Sequence, residues 1–304
     1  MGLSAAGAIS RTLPAPRAVL ELFKPITWFP PMWAFGCGVI SSGADLGARW
    51  GLALAGIILA GPLICATSQA VNDWFDRHVD AINEPGRPIP SGRIPGRWGL
   101  WIAMVWTGVS MAWAYALGPW VFGAALVGMA LAWAYSAPPL RLKQSGWWGP
   151  AACALCYEGV TWFTGAAVML GALPRAEILT VAALYSLGAH GIMVLNDFKA
   201  IEGDRQTGVR SLPVQLGPET AAKVACIVMA APQAFVVALL LFWGQPFHAM
   251  AVAISLGAQL YLMARLIGDP RKLAPWFNAT GVLLYVLGML VSAFALSDFA
   301  GASA

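Results

Sequence analysis

Long apolar runs, each closed by a short stretch that is polar or rich in Gly and Pro, dominate the chain from Ile26 onward. A run of roughly 17–25 apolar residues crosses the hydrocarbon core of a bilayer as one helix. On that length the pattern predicts nine spans: 26–43, 51–72, 100–117, 119–136, 149–171, 178–196, 222–243, 247–267 and 276–296. Only Gly118-Pro119 divides the third from the fourth. The expected fold is all-α, a multi-pass bundle of nine transmembrane helices. Residues 1–25 read as a cytoplasmic lead-in with no cleavable signal peptide, and 26–304 as a single transmembrane domain.

Composition sharpens this picture. Of 304 residues, 59% are hydrophobic and only 11% charged, with a mean hydropathy of +0.69. Soluble domains carry about 25% charged residues, so a water-soluble enzyme is excluded. The few cations are sorted. Sixteen of the eighteen Lys and Arg fall in the lead-in or in loops after the even-numbered spans, leaving only Arg49 and Arg175 on the other side. Basic loops stay cytoplasmic. The N-terminus and these loops are therefore expected at the cytoplasmic face, and the C-terminus outside. Cys153 and Cys156 form a C-x-x-C, but among Ala, Leu and Trp they read as small packing residues.

The acids are concentrated as well. Residues 72–80 read N-D-W-F-D-R-H-V-D, and residues 196–204 read N-D-F-K-A-I-E-G-D. An Asp at the centre of a bilayer costs about 2.5–3.5 kcal/mol on insertion scales, so six acids in two short stretches need a purpose. If the helix runs on, Asn72, Asp76 and Asp80 share one face, while Asp73 points about 100° away. The second cluster offers Asn196, Asp197, Glu202 and Asp204. The two stretches echo each other at an offset of 124 residues (72 to 196). That is the mark of an internal repeat, which would place them face to face across a cytoplasmic-side cavity.

Mg²⁺ takes one or two carboxylates, several waters and phosphate oxygens. Two acidic faces sharing a polyanion through such cations point to a diphosphate. Asn72, Asp73, Asp76, Asp80, Asn196, Asp197, Glu202 and Asp204 are the candidate ligands, with Asp76, Asp80, Asp197 and Asp204 as the catalytic core. Arg77, Arg87, Lys199, Arg205 and Arg210 are candidate partners for the remaining phosphate charge. An allylic diphosphate would ionise there, and aromatic walls shelter a cation. Trp74, Phe75, Trp162, Phe163 and Phe198 are expected near the cytoplasmic half for that purpose. Glu158, the one acid deep inside a predicted span, is a candidate for the acceptor or cation pocket. No nucleophilic triad, zinc signature or Walker loop competes, and His78, His190 and His248 are scattered. The basic loop 87–97, punctuated by Pro and Gly, is expected to act as a lid. A cation-coupled carrier would place its acids near mid-membrane, whereas these terminate spans at one face. A pigment-holding antenna or assembly factor would need more ordered histidines.

Asn72, Asp76 and Asp80 match in full the motif N-x-x-x-D-x-x-x-D, and through it the chain resembles intramembrane prenyltransferases of the UbiA type. The likeness extends to the chlorophyll and bacteriochlorophyll synthase branch, most closely its bacterial members. It is carried by N-D-W-F-D-R-H-V-D-A-I-N-E-P-G-R-P-I-P-S-G at 72–92, Y-S-A-P-P-L-R-L-K-Q at 135–144 and N-D-F-K-A-I-E-G-D-R-Q-T-G-V-R-S-L-P-V-Q-L-G at 196–217. The resemblance implies a nine-helix fold, Mg²⁺ as cofactor, and esterification of the ring-D propionate of bacteriochlorophyllide a with geranylgeranyl or phytyl diphosphate. It implies the lipid bilayer and other pigment-biosynthesis or photosystem-assembly proteins as partners, and no nucleic acid. Transfer to a quinone precursor or haem is the alternative within the same superfamily. One departure stands out. Many members carry an Asp where this chain has Ala200, leaving Glu202 and Asp197 to supply a ligand at the second site.

Overall fold

The computed structural model describes residues 13–301, and among these every regular element is helical. In chain order they are α1 Pro16–Leu22, α2 Phe29–Ser41, α3 Leu46–Asn83, α4 Trp98–Ala116, α5 Pro119–Ser136 and α6 Trp148–Leu170. Next come α7 Ala176–Thr207, α8 Leu212–Leu216, α9 Pro218–Phe242, α10 Pro246–Gly268 and α11 Pro270–Gly301. Most of the lead-in, 1–12, and residues 302–304 lie outside the described residues.

Among the described residues seven helices are long and apolar enough to cross a membrane: α3, α5, α6, α7, α9, α10 and α11. The chain is a multi-pass membrane protein. The first and third expected spans are not among the seven. α2 has 13 residues, too short by itself for a hydrocarbon core. α4 has 19, but four are Trp, and Thr107 and Ser110 lower its hydropathy further. Two helices run on beyond the expected spans. α3 continues past Asn72 to Asn83, and α7 past Asn196 to Thr207, so both acidic stretches lie within helices.

Local chemistry explains the irregularities. Pro62 sits inside α3, where its missing N–H and its ring break the regular bonding. The helix widens there into a π-type segment, Leu59–Cys65, and the Pro62 carbonyl accepts from Trp106 Nε1 of α4 at 3.0 Å. α6 widens likewise over Leu155–Val160, the segment that carries Glu158. Helices in lipid gain attraction by close backbone approach. At the α2–α6 crossing a Cβ on Gly38 would lie 2.0 Å from the Trp162 carbonyl oxygen, and one on Gly165 would lie 2.1 Å from that of Phe35. Deeper in the bundle Trp162 stacks on Tyr185, whose hydroxyl pairs with Ser292 of α11 at 2.9 Å.

At the polar end, Leu22 and Phe23 of the N-terminal segment share a buried cluster with Val71 of α3 and Ile94 of the loop 84–97. Arg93 of that loop forks onto Glu21 at 2.5 and 2.7 Å. This loop is thus docked by a buried side chain and an ion pair.

Candidate active site

Because α3 stays helical through its acidic stretch, Asn72, Asp76 and Asp80 recur every fourth residue on one face and line a cavity of about 580 Å³. The opposite wall comes from α7. A tight 3₁₀ turn at Asp197–Ala200 interrupts that helix, which then resumes at Ile201–Thr207. Asn196, Asp197, Lys199, Ala200 and Asp204 line the same cavity. Both acidic stretches therefore face one space.

Each acid of α3 has a cation. Asp76 accepts from Lys143 and, at 3.4 Å, from Arg141, both on the loop between α5 and α6. Asp80 accepts from Arg87 at 2.9 Å. Asn72 donates to Ser136 at 3.2 Å. Across the cavity Asn196 accepts from Asn278 of α11 at 2.9 Å. Burial pulls the Lys143 ammonium below the ordinary lysine value, and the adjacent Asp76 offsets this only in part. Burial works the same way on Arg87, but Glu84, Asp73 and Asp80 together outweigh it and raise that guanidinium.

Several expected residues lie elsewhere. Asp73 is 1% exposed and turned away from the cavity. It accepts from Lys24 at 2.6 Å and lies 3.4 Å from Arg87, which also forks onto Glu84 at 2.6 and 2.8 Å. Asp73 thus joins the N-terminal segment to the loop that holds Asp80. Glu202 is exposed and takes its hydrogen bond from Gln206 at 3.0 Å, outside the cavity wall. The position occupied by Ala200 therefore gains no acid from Glu202. Arg77 lies over the Trp74 ring, 4.1 Å from its centre, and donates to the Trp74 carbonyl. Arg205 is exposed, and Arg210 borders a neighbouring cleft.

The aromatic expectation is corrected too. Phe198 is buried in the core, and Trp162 donates to Ser41 at the far end of α2, so neither reaches the cavity. Phe163 lines a separate apolar groove on α6. Glu158 is buried, with Oε2 lacking a hydrogen-bond partner, and it too is absent from the cavity wall. The ring that does line the wall is Tyr135, which also borders a smaller pocket of about 180 Å³ with Gln69 and Tyr157. Residue chemistry alone points to no role for Tyr135, Arg141 and Lys143 in the sequence. Their signal is the stretch at 135–144, which carries the family resemblance.

Among the described residues no three His, Cys, Asp or Glu side chains converge as a ready-made metal site. Asn72, Asp76, Asp80, Asn196, Asp197 and Asp204 are nonetheless hard oxygen donors on facing walls. They fit a Mg²⁺-type ion, whose shell is completed by water and phosphate rather than by protein alone.

Residues 27–287 match the UbiA prenyltransferase family. The chain belongs to that family. Within it, the chain is 62% identical over 286 residues to the bacteriochlorophyll synthase 33 kDa chain of Cereibacter sphaeroides, covering 94% of this chain and 95% of that one. The chloroplastic chlorophyll synthase of Oryza sativa is 37% identical, across 91% of this chain and 76% of that protein. Among solved structures, a UbiA homologue from Archaeoglobus fulgidus bound to GPP and Mg²⁺ superposes with a TM-score of 0.71. It is 20% identical, over 88% of this chain and 99% of that one, and so shares the UbiA fold. The facing acidic walls are thus set in a UbiA prenyltransferase framework.

Proposed function

We propose that the chain is a bacteriochlorophyll synthase, which esterifies the ring-D propionate of bacteriochlorophyllide a with geranylgeranyl or phytyl diphosphate and releases diphosphate. The observation that carries this reading is the single cavity faced by both acidic stretches and by Lys143 and Arg141. The 62% identity to a bacteriochlorophyll synthase supports the choice of acceptor.

In this reading Asn72, Asp76, Asp80, Asn196, Asp197 and Asp204 hold Mg²⁺ against the diphosphate. The bound metal supplies Lewis-acid stabilisation of the departing phosphate charge. Lys143, Arg141 and Arg87 now neutralise Asp76 and Asp80. Were those carboxylates to hold a metal, the same cations would be available to phosphate oxygens. Lys199, on the opposite wall, adds a further charge. The allylic C–O bond breaks with both electrons leaving on the diphosphate, and a propionate oxygen forms the new C–O bond to that carbon. A propionate is ionised at neutral pH, as carboxyl side chains are, so the step needs no general base. The Tyr135 ring is placed to shelter the allylic cation.

The finer topology belongs to the same proposal. α2, lengthened by the 3₁₀ turn Pro25–Thr27, and α4 also cross the bilayer, giving nine spans. The two acidic walls descend from an internal repeat. The cavity opens to the cytoplasm of an inner membrane, as the basic loops around it require.

Oxygen labelling tests the chemistry. With ¹⁸O in the propionate, both labelled atoms should be retained in the ester, the diphosphate should carry none, and EDTA should stop the reaction. Label lost from the pigment, or prenylation of a phenolic acceptor in place of the propionate, would overturn the proposal.

A further inference from the structure

A second cleft, about 290 Å³, adjoins the diphosphate cavity, and Arg141, Gln144 and Ser145 border both. One wall is apolar and open to the outside: Leu140, Trp147 and Trp148 are 65, 47 and 68% exposed. The other wall carries Arg210.

The two loops that make this cleft are tied by backbone bonds. Gly146 N–H donates to the Arg210 carbonyl at 2.7 Å, and Arg210 N–H donates to that of Gln144 at 3.0 Å. Only glycine permits this approach, since a Cβ on Gly146 would lie 2.4 Å from the Leu212 nitrogen. Trp147 is held in place against His190, ring centres 5.9 Å apart. Arg141 sits at φ +38°, a left-handed conformation that non-glycine residues keep only where the surroundings enforce it. Its Nε is buried without a hydrogen-bond partner, while its terminal nitrogen reaches Asp76.

Tryptophans at a membrane surface are ordinary anchors. An anchor needs no guanidinium inside the cleft, and none that also reaches a carboxylate of the reaction cavity. We propose that this cleft docks the acceptor: Trp147 and Trp148 carry a flat, apolar ring, while Arg210 and Arg141 draw its carboxylate toward the diphosphate cavity. This rests on the bacteriochlorophyllide reading above. The cleft is too small for a whole tetrapyrrole. It takes the propionate-bearing edge, and the rest of the ring lies over Trp148 in the headgroup layer. Guanidinium and indole faces suit a carboxylate and a π-system respectively.

The test is equilibrium binding of bacteriochlorophyllide a to the full chain in nanodiscs, followed by pigment absorbance with no prenyl diphosphate present. Trp148→Ala and Arg210→Gln alter exposed side chains, and an unchanged unfolding midpoint will show that the fold is intact. Each should weaken pigment binding roughly tenfold, the scale of one charge-assisted or aromatic contact, while Mg²⁺-dependent binding of geranylgeranyl diphosphate stays within about twofold. The propionate methyl ester of the pigment should bind the unaltered chain roughly tenfold more weakly than the free acid, and Arg210→Gln, which leaves only Arg141, should shrink that difference to about threefold or less. Variants that bind pigment as the unaltered chain does would overturn the docking site and leave the acceptor reading standing. An unaltered chain that binds prenyl diphosphate but no pigment would overturn both. If only anionic lipid content responds to the variants, the cleft is a headgroup contact and the proposal fails.

Discussion

Asp73 and Asp76 stand three residues apart on α3 and differ in what they touch. Asp76 faces the cavity between Lys143 and Arg141; Asp73 is buried against Lys24 and Arg87. Substitution should separate the two roles. Asp76→Ala is expected to lower turnover by at least about 100-fold, the usual scale for removing one electrostatic stabiliser of a transition state, with the protein still folded. Asp73→Ala removes the carboxylate that Lys24 holds and leaves Arg87 to Asp80 and Glu84, and should cost on the order of 2 kcal/mol of stability, read as a lowered unfolding midpoint in detergent. If Asp73→Ala unfolds like the unaltered chain, the proposed clamp is wrong. The four-residue spacing of Asn72, Asp76 and Asp80 makes their shared face legible in the sequence. The partner of Asp73 is not legible there, because Lys24 lies 49 residues earlier and only the docking of α1 brings it close. Glu202 falls off the cavity wall for a related reason. The 3₁₀ turn at Asp197–Ala200 shifts the register of the helical turns from Ile201 to Thr207, and spacing counted along a regular helix cannot foresee it.

At the scale of elements, the loop 84–97 is expected from sequence to be a lid because it is basic and punctuated by Pro and Gly. Those residues make its turns, but Ile94 is 1% exposed and fixes the loop against Leu22 and Phe23. The loop so fixed carries Arg87, which donates to Asp80 at 2.9 Å, and we propose that holding this contact is its role. Ile94→Ala should cost about 2–4 kcal/mol as a buried truncation and raise the KM for the prenyl diphosphate. A KM unaffected by a destabilised Ile94→Ala protein would restore the lid. The α2–α6 crossing offers a second check. Gly165→Leu has no room at 2.1 Å from the Phe35 carbonyl oxygen, so little folded protein should accumulate in the membrane. Accumulation at the level of the unaltered chain would contradict that packing.

For the whole molecule, hydrophobic run length is enough to read an all-helical membrane protein, since burying about twenty apolar residues in lipid leaves few other solutions. It is less able to say where helices end. A helix can run on through an acidic stretch, as α3 and α7 do, where Asp76, Asp80, Asp197 and Asp204 face a polar cavity. Sidedness is testable directly. With single cysteines at two exposed positions, Ser91→Cys should react with a membrane-impermeant maleimide from the cytoplasmic side and Ala172→Cys from the periplasmic side, relative to the unaltered chain. Labelling of both from one side would break the assignment of basic loops to the cytoplasm.

The central claim is that the facing acidic walls form one prenyl-diphosphate site serving a chlorin propionate. The most direct measurement is a membrane assay with bacteriochlorophyllide a, geranylgeranyl diphosphate and Mg²⁺, resolving the pigment by chromatography for the unaltered chain, Asp76→Ala and Asp204→Ala. Esterified pigment from the unaltered chain, abolished by EDTA and by either substitution in folded protein, is the predicted result. Undiminished ester from either variant, or none from the unaltered chain while another acceptor is prenylated, would contradict it.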